Sequence, residues 1–346
     1  MFFLTGLLGM MAIGSFAFFS FGSDDDDIED EDGFDPMKES EESSASSDPV
    51  DDLFQLQPEG DDAEVSQDAA RDHQPATAVA VQTEAEDAAA ATDKYDLSLY
   101  GTDGDDLIIG TDADELIQGF DGSDTLDGAE GDDTVEGNDG TDDIYGGGGA
   151  DMLSGGTGDD TLNGGEGDDI LRGGTGDDAL HGRAGDDTLI GDRGEDTMFG
   201  GDGNDLISGL RLDGDGHDID QRDYLNGGDG DDTVFAGDDD IVSLGAGADV
   251  LVLGEWMTGA GAEVLDYNDE EDQLMVVYDD AEHGDAPELE MRLNATNPSM
   301  TEILLGDDVL ATLPTEDAPD LGNVVLIAES TLADLDLEEA AVRHFG

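Results

Sequence analysis

Residues 155–181 read GGTGDDTLN, GGEGDDILR and GGTGDDALH, which are three copies of one nine-residue pattern. Glycine stands at positions 1 and 4 of each unit, aspartate at position 6 and leucine at position 8. The same period can be cut without a gap from Gly101 to Phe235, and it fails to place glycine at position 1 only at Asp218. A fixed short period over such a length indicates a stacked repeat architecture.

Each unit combines a tight turn with a very short strand. Glycine tolerates the backbone angles of a tight turn that other residues avoid. The last three residues alternate polar, apolar and polar, as in a strand with one buried face. One unit buries too little apolar surface to be stable alone, so the units are predicted to stack as a solenoid. The predicted interior consists of the position-8 side chains Ile108, Ile117, Leu126, Val135, Ile144, Leu153, Leu162, Leu171, Leu180, Leu189, Met198, Ile207, Leu225 and Val234.

The chain is strongly acidic. Its 346 residues include 93 Asp and Glu against 10 Lys and Arg, which gives a formal charge of −83, and it has no cysteine. A polyanion of this kind does not bind nucleic-acid phosphates or an anionic lipid surface without bridging cations. The absence of cysteine excludes disulfides, cysteine-ligated zinc and a thiol nucleophile. The chain is therefore either largely disordered or associated with many cations.

The acid at position 6 favours calcium. Stacked strands lie about 4.8 Å apart, so a carboxylate at the same position of every coil forms a column of like charges. Calcium accepts six to eight oxygens in a flexible geometry, and a glycine-rich turn offers carbonyls beside the carboxylates. Magnesium requires stricter octahedral geometry, and softer metals prefer ligands that this chain supplies poorly.

The pattern resembles the hemolysin-type calcium-binding repeat, G-G-x-G-x-D-x-U-x, of RTX (repeats-in-toxin) proteins. The resemblance covers about 40% of the chain, and GGDGDDTVF (227–235) is a further unit that fits every defined position. It implies an all-β, right-handed parallel β-roll with two units per coil and with calcium between turns n and n+2. The calcium ligands that it implies are Asp106, Asp124, Asp133, Asp142, Asp151, Asp160, Asp169, Asp178, Asp187, Asp196, Asp205, Asp223 and Asp232.

Several units depart from the family pattern. Glu115 is one methylene longer than aspartate, and Gly214 supplies no carboxylate. Asp240 and Asp249 follow a one-residue slip of the register after Phe235. The cut into nines makes 209–217 and 218–226 two degenerate units.

Two further groups of acids have alternative interpretations. Most position-5 residues are acidic, for example Asp105, Asp159 and Asp177, and they form either a solvated face or a second layer around the metal. The acid-rich stretch 213–220 resembles a fragment of an EF-hand loop but lacks its sixth-position glycine and closing glutamate. A bulged loop is the favoured interpretation of that stretch.

The repeats are preceded by two segments of different character. Residues 1–22 contain no charged side chain and are long enough for a transmembrane helix, which favours an N-terminal apolar anchor over a signal peptide. Residues 23–99 are rich in Asp, Glu, Ser, Ala, Gln and Pro, and this composition predicts a disordered acidic linker. The β-roll is predicted over 100–253.

Residues 254–346 lose the nine-residue period. Strands are predicted at 273–278, 288–293, 301–305, 309–313 and 323–328, with a hairpin turn at 306–308, and a short amphipathic helix is predicted at 330–345. This region is expected to be a β-rich cap that closes the open end of the roll. The alternative is a binding domain carried by a calcium-stiffened adhesin or matrix-interaction protein.

No catalytic pattern accompanies the repeats. The sequence has no H-E-x-x-H zinc motif and no G-x-S-x-G nucleophile elbow. The predicted function is therefore that of a non-enzymatic protein whose repeats fold on binding several Ca²⁺ ions. The family resemblance implies an extracellular or cell-surface location, in a Gram-negative bacterium, with type I secretion through a signal in the acidic C-terminal tail. The apolar segment 1–22 is unusual for that route, and no protein or matrix partner can be named.

Overall fold

The computed structural model describes residues 77–78, 97–214, 216–279 and 287–332. Contacts divide the chain into two units, Met1–Ala69 and Ala70–Gly346, and all of the described residues belong to the second. The predicted anchor (1–22), most of the predicted linker (23–99) and most of the predicted C-terminal helix (330–345) lie outside the described residues. Within the described ranges, no helix has the length and apolar character to cross a membrane.

The described chain is all-β and forms two sheets, with one helical turn, α1, at Glu329–Leu332. In order across it, the first sheet contains β1 (Thr77–Ala78), β3 (Asp106–Ile109), β5 (Thr125–Glu130), β7 (Asp143–Gly148), β9 (Thr161–Glu166), β11 (Ala179–Ala184), β13 (Thr197–Asp202), β15 (Tyr224–Asp229), β17 (Ile241–Ala246), β19 (Ala262–Val264), β23 (Asp308–Pro314), β22 (Met300–Leu305) and β21 (Leu289–Leu293). The second contains β2 (Leu97–Tyr100), β4 (Glu115–Asp121), β6 (Thr134–Asp139), β8 (Met152–Thr157), β10 (Ile170–Thr175), β12 (Thr188–Arg193), β14 (Leu206–Ser208), β16 (Thr233–Phe235), β18 (Val250–Gly254), β20 (Gln273–Tyr278) and β24 (Val325–Ala328).

Consecutive units alternate between the two sheets. In the second sheet, Leu153 of β8 pairs in parallel with Leu171 of β10, which pairs with Leu189 of β12. The spacing of 18 residues between these partners equals two nine-residue units per coil. The predicted all-β parallel solenoid is therefore confirmed, whereas its right-handed sense stays a prediction.

The position-8 side chains form the core, as predicted. Every one of them in the regular coils is buried, and most, including Leu162 and Leu171, have no exposed surface. The two sheets contribute one apolar column each, so the interior is a pair of facing columns. Branched aliphatic side chains and Met198 fill the position-8 columns, and the aromatic members of the same buried cluster, Phe235, Trp256 and Tyr267, lie outside position 8.

The turns at position 4 accept only glycine in the well-formed units. Gly158 has φ +121°, and a Cβ on it would lie 1.5 Å from the carbonyl oxygen of Gly140 on the preceding coil. Successive turns therefore stack backbone on backbone, and any side chain at this position separates them.

Residues 209–226 form one unit with an excursion, and not the two degenerate units that the cut into nines suggested. Met198 of β13 pairs with Leu225 of β15, so the coil has 27 residues between partners where the others have 18. Gly209 faces the Oδ2 atom of Asp223 as a position-1 glycine faces its own position-6 aspartate. The nine extra residues are 210–218, and those that the structure describes, all but residue 215, leave the roll as a bulged loop, which agrees with the favoured interpretation of this stretch.

Parallel pairing continues beyond residue 253. Strand β20 pairs with β18 and then with β24, while β19 pairs with β17 and then with β23. An antiparallel meander of β21, β22 and β23 extends the first sheet, and Gly306 (φ +65°) makes the predicted turn between β22 and β23. Ile303, Leu310 and Leu313 join the same buried cluster as the roll's own side chains.

Candidate metal centre

The position-6 carboxylates are buried in two columns along the roll. All thirteen predicted ligands are at most 4% exposed, and Glu115, Asp240 and Asp249 are buried in the same way. The turn that precedes each strand directs the position-6 side chain inward, in the same direction as the apolar residue two positions later. The charged groups therefore lie inside the turns, although isolated buried carboxylates are strongly unfavourable.

After the first member of each column, one oxygen of each carboxylate accepts a backbone N–H of the preceding coil. The N–H of Asp142 donates to Oδ1 of Asp160 at 2.8 Å, and the N–H of Asp160 donates to Oδ1 of Asp178 at the same distance. The other column repeats this bond from Asp151 to Asp169. These bonds connect successive coils and hold each carboxylate in one orientation.

The other oxygen is buried without a partner. Among the described residues, the Oδ2 atoms that accept no hydrogen bond despite burial are those of Asp124, Asp133, Asp142, Asp151, Asp160, Asp169, Asp178, Asp187, Asp196, Asp205, Asp220, Asp223, Asp232 and Asp249. A carboxylate oxygen that is buried without a hydrogen bond destabilises the fold. Because such oxygens recur at one position of successive coils, a row of bound cations would relieve this destabilisation.

A backbone carbonyl flanks most of these oxygens. A Cβ on Gly155 would lie 2.3 Å from Oδ2 of Asp160 and 2.7 Å from the carbonyl oxygen of Gly173 on the next coil. The position-1 glycine thus keeps open a cradle lined by a carboxylate oxygen and a carbonyl oxygen. Oxygen donors of these two kinds are the ligand set of a hard cation such as calcium. The residues present therefore fit calcium.

The raised pKa values of the position-6 carboxylates also favour a bound cation. Burial raises the pKa of Asp178 to about 8, with smaller contributions in the same direction from the charges of Asp196 and Asp160. Burial likewise raises the pKa of Asp187 to about 7 and that of Asp169 to about 6. The backbone N–H donated to each carboxylate lowers the pKa but does not offset burial. Without a cation, the columns are therefore partly protonated near neutral pH.

The first carboxylate of each column differs from the rest. Oδ2 of Asp106 accepts hydrogen bonds from the backbone N–H and hydroxyl of Thr102, at 2.6 and 2.9 Å. Thr111 likewise donates its backbone N–H to Oε2 of Glu115 and its hydroxyl to Oε1 of the same carboxylate. Threonine at position 2 thus satisfies oxygens that remain unpaired further along the roll. These two carboxylates are the least suited of the set to a metal.

The far ends of the columns extend beyond the predicted ligands. Asp240 and Asp249 accept the N–H groups of Asp223 and Asp232 at 2.9 Å, so the one-residue slip leaves them at position 6. Asp272 then accepts the N–H of Asp249 at 3.2 Å and closes one column. Sequence reasoning missed Asp272 because the period is lost after residue 253, and no sequence signal marks it.

The position-5 acids form an exposed ladder of their own. Oδ1 of Asp159 accepts the N–H of Asp177 one coil later, at 3.0 Å, and Oδ1 of Asp177 accepts that of Glu195 at 2.9 Å. In this ladder the later residue donates its N–H to the earlier one, whereas in the position-6 columns the earlier residue donates to the later one. The interpretation of these acids as a solvated face is thus right about exposure but omits these coil-to-coil bonds.

A family model described as the RTX calcium-binding nonapeptide repeat (4 copies) matches residues 100–135, 118–153, 145–180, 154–189, 172–207 and 220–251. Residues 100–251 contain several RTX repeats. The matches leave out 208–219, the part of the chain that contains the excursion. A search of curated proteins gave no match to this sequence.

Among solved structures, the chain is similar to the extracellular lipase LipA from Serratia marcescens, with 16% sequence identity and a TM-score of 0.18. The match covers 68% of this chain and 41% of the lipase chain, so the chain spans about two fifths of the length of that relative. A TM-score this low does not establish a common fold. The assignment to the RTX repeats rests on the repeat itself.

Proposed function

We propose that the protein is a non-enzymatic calcium-binding protein of the cell exterior, whose RTX repeats fold when calcium binds. The row of buried and unpartnered Oδ2 atoms carries this proposal, because each is costly without a cation and favourable with one. The thirteen predicted aspartates are proposed as ligands, together with Asp249. Asp106, whose Oδ2 is already bonded by Thr102, is expected to contribute least.

Folding and binding are coupled in this proposal. The columns do not exist in an unfolded chain, so the free energy of calcium binding becomes free energy of folding. Many sites filled together give a steep dependence on calcium concentration. A chain that is expanded at the low calcium of a cytosol and folded at the millimolar calcium of the exterior suits export in an unfolded state. RTX repeats are typical of proteins secreted by Gram-negative bacteria.

Circular dichroism of the full chain during a calcium titration tests this proposal. Calcium is expected to add β-sheet signal over a narrow concentration range, and magnesium at the same concentration is expected to add much less. An equal β signal with a chelator and with millimolar calcium would refute the coupling. Isothermal titration calorimetry on the same samples separates a chain that binds no calcium from one that binds it without folding.

We further propose that the region after residue 253 closes the end of the roll. The supporting observation is that Leu310 and Ile303 are buried against the apolar column of the roll. A chain that ends at Leu253 exposes this column. A cap predicts that the shortened chain aggregates or loses its calcium-induced β signal. The adhesin alternative predicts that it still folds normally with calcium and loses only the binding of a partner.

A further inference from the structure

The excursion Leu210–Asp218 is a closed loop with its own hydrogen bonds. Leu212 and Asp218 form an isolated antiparallel bridge, and the N–H of Ile219 donates to the carbonyl of Arg211 at 2.9 Å. The loop therefore leaves and re-enters the roll at neighbouring points. Its return determines where residues 219–223 are placed.

Asp218 fixes this return. Its carboxylate accepts the N–H groups of Asp220 at 3.2 Å and Asp238 at 2.8 Å, and it is only 8% exposed. Its own N–H donates to the carbonyl of Trp256 at 2.9 Å, while the Trp256 indole donates to the carbonyl of Ala236. The residue that follows two positions later, Asp220, is thus held against the turn of the preceding coil.

Asp220 puts a carboxylate where the regular roll has a backbone carbonyl. In a regular turn, the N–H of Gly176 donates to the carbonyl of Arg193 on the next coil at 2.9 Å. At the excursion, the corresponding N–H of Gly194 donates instead to Oδ1 of Asp220 at 3.0 Å. The Oδ2 atom of Asp220 is then left buried and without a hydrogen-bond partner.

Three carboxylates converge at this coil. Asp196, Asp220 and Asp223 each offer an oxygen that lies within 4.8 Å of the other two, and no other set of three metal-ligating side chains converges in this way among the described residues. Asp196 and Asp223 are 1% and 0% exposed, and their Oδ2 atoms have no hydrogen-bond partner. Two of these groups belong to the regular column, whereas the third exists only because of the excursion.

We propose that Asp196, Asp220 and Asp223 form a calcium site of higher affinity than the regular sites of the roll. The inference rests on the proposed function, since Asp196 and Asp223 are also members of a regular column. It adds a third carboxylate, which comes from outside the repeat pattern. The affinity of a calcium site rises with the number of its charged ligands and with its rigidity. Asp220 adds a charged ligand, and the hydrogen bonds of Asp218 make the site rigid. This site fills first as calcium rises.

The emission of Trp256, the only tryptophan in the chain, reports on this site because its carbonyl and indole are bonded to Asp218 and Ala236. In a calcium titration of the full chain, the Trp256 signal is expected to change at lower calcium than the β signal of the whole roll. Asp220→Asn is expected to move the Trp256 midpoint to at least about tenfold higher calcium. The control Asp202→Asn removes a charge from an exposed position at the end of β13 and is expected to leave the midpoint unchanged.

The possible results distinguish a failure of the three-carboxylate site from a failure of the proposed function. If Asp220→Asn and Asp202→Asn give the same Trp256 midpoint as the unaltered chain, the three-carboxylate site is refuted while calcium-dependent folding stands. If none of the three proteins binds calcium in calorimetry, the proposed function itself fails. A third variant, Asp220→Glu, retains the charge and should keep part of the lost affinity, which excludes a mere folding defect. Equal β signal of all variants at saturating calcium gives the same assurance.

Discussion

A position-6 aspartate uses its two carboxylate oxygens for different purposes. Oδ1 of Asp169 accepts the N–H of Asp151 and so connects two coils, whereas Oδ2 of Asp169 faces the cradle without a partner. Asparagine in this place retains an acceptor for the first purpose but loses the negative charge needed for the second. The two purposes can therefore be separated by mutation.

The Asp169→Asn variant, compared with the same substitution at the neighbouring Asp168, tests whether the two oxygens have these separate roles. The substitution is expected to weaken calcium binding at the affected site by about tenfold or more, because one charged ligand is lost. The matched control Asp168→Asn also removes one charge and retains the exposed acceptor for the N–H of Asp186. Calorimetry of both variants decides, and equal calcium affinities would contradict the assignment of position 6 as the ligand.

Acid should stabilise the metal-free roll. Burial raises the pKa of Asp178 to about 8, that of Asp160 to about 7 and that of Asp169 to about 6, from an ordinary 3.8. A raised pKa in the folded state means that protonation favours folding, so this stabilisation is fully present below the ordinary pKa and is lost as pH rises through about 6 to 8. Bound calcium needs the carboxylate, so its affinity should fall as pH drops through the same range.

Circular dichroism against pH checks both statements. With a chelator, the β signal should decline between about pH 6 and 8, and with saturating calcium it should persist there. A metal-free β signal that increases with pH through this range would show that the columns do not carry the expected charge penalty.

At the scale of elements, the stacked turns are the most sensitive part of the roll. Gly158→Ala places a Cβ 1.5 Å from the carbonyl oxygen of Gly140, at a φ of +121°. Gly104→Ala is the matched control, since a Cβ there has no atom within 4 Å. Gly158→Ala is expected to lower the free energy of unfolding by about 2 kcal/mol or more, and the control by much less. Urea unfolding in saturating calcium measures both, and similar losses would contradict the close stacking of turns.

The period of nine was enough to predict the regular elements. It placed one short strand in each unit, a buried residue at position 8 and a buried acid at position 6, because these depend only on local alternation and stacking. The five strands predicted after residue 253 are also present, with β20 at the predicted bounds. What the period could not show is how the chain is divided between two sheets, since both sheets use the same pattern.

The excursion could not be recognised in the sequence because its composition resembles that of a repeat. Residues 210–218 contain glycine and aspartate in nearly the spacing of a weak repeat, so the cut into nines continued through them. Only pairing partners 27 residues apart identify the extra segment. The place of Asp220 depends on that pairing and on the hydrogen bonds of Asp218, and neither is encoded in a local pattern. The site at the excursion is for this reason a structural result.

At the scale of the whole molecule, the charge of −83 has two components. Part of it lies in the segment 23–99, and part recurs every nine residues inside the roll, where oxygens of successive coils line a common cradle. Each calcium ion neutralises two charges, so the occupied roll remains strongly acidic. In the proposed function, calcium therefore acts on the buried columns and leaves the exposed acids in solvent.

The positions of the calcium ions test the central claim most directly. Anomalous diffraction from crystals grown in calcium should place ions beside the Oδ2 atoms of the position-6 aspartates, at about 2.3–2.6 Å, in two rows along the roll. An additional ion is expected between Asp196, Asp220 and Asp223. Anomalous peaks confined to the exposed position-5 acids, or a folded roll with no peak in either column, would contradict the account.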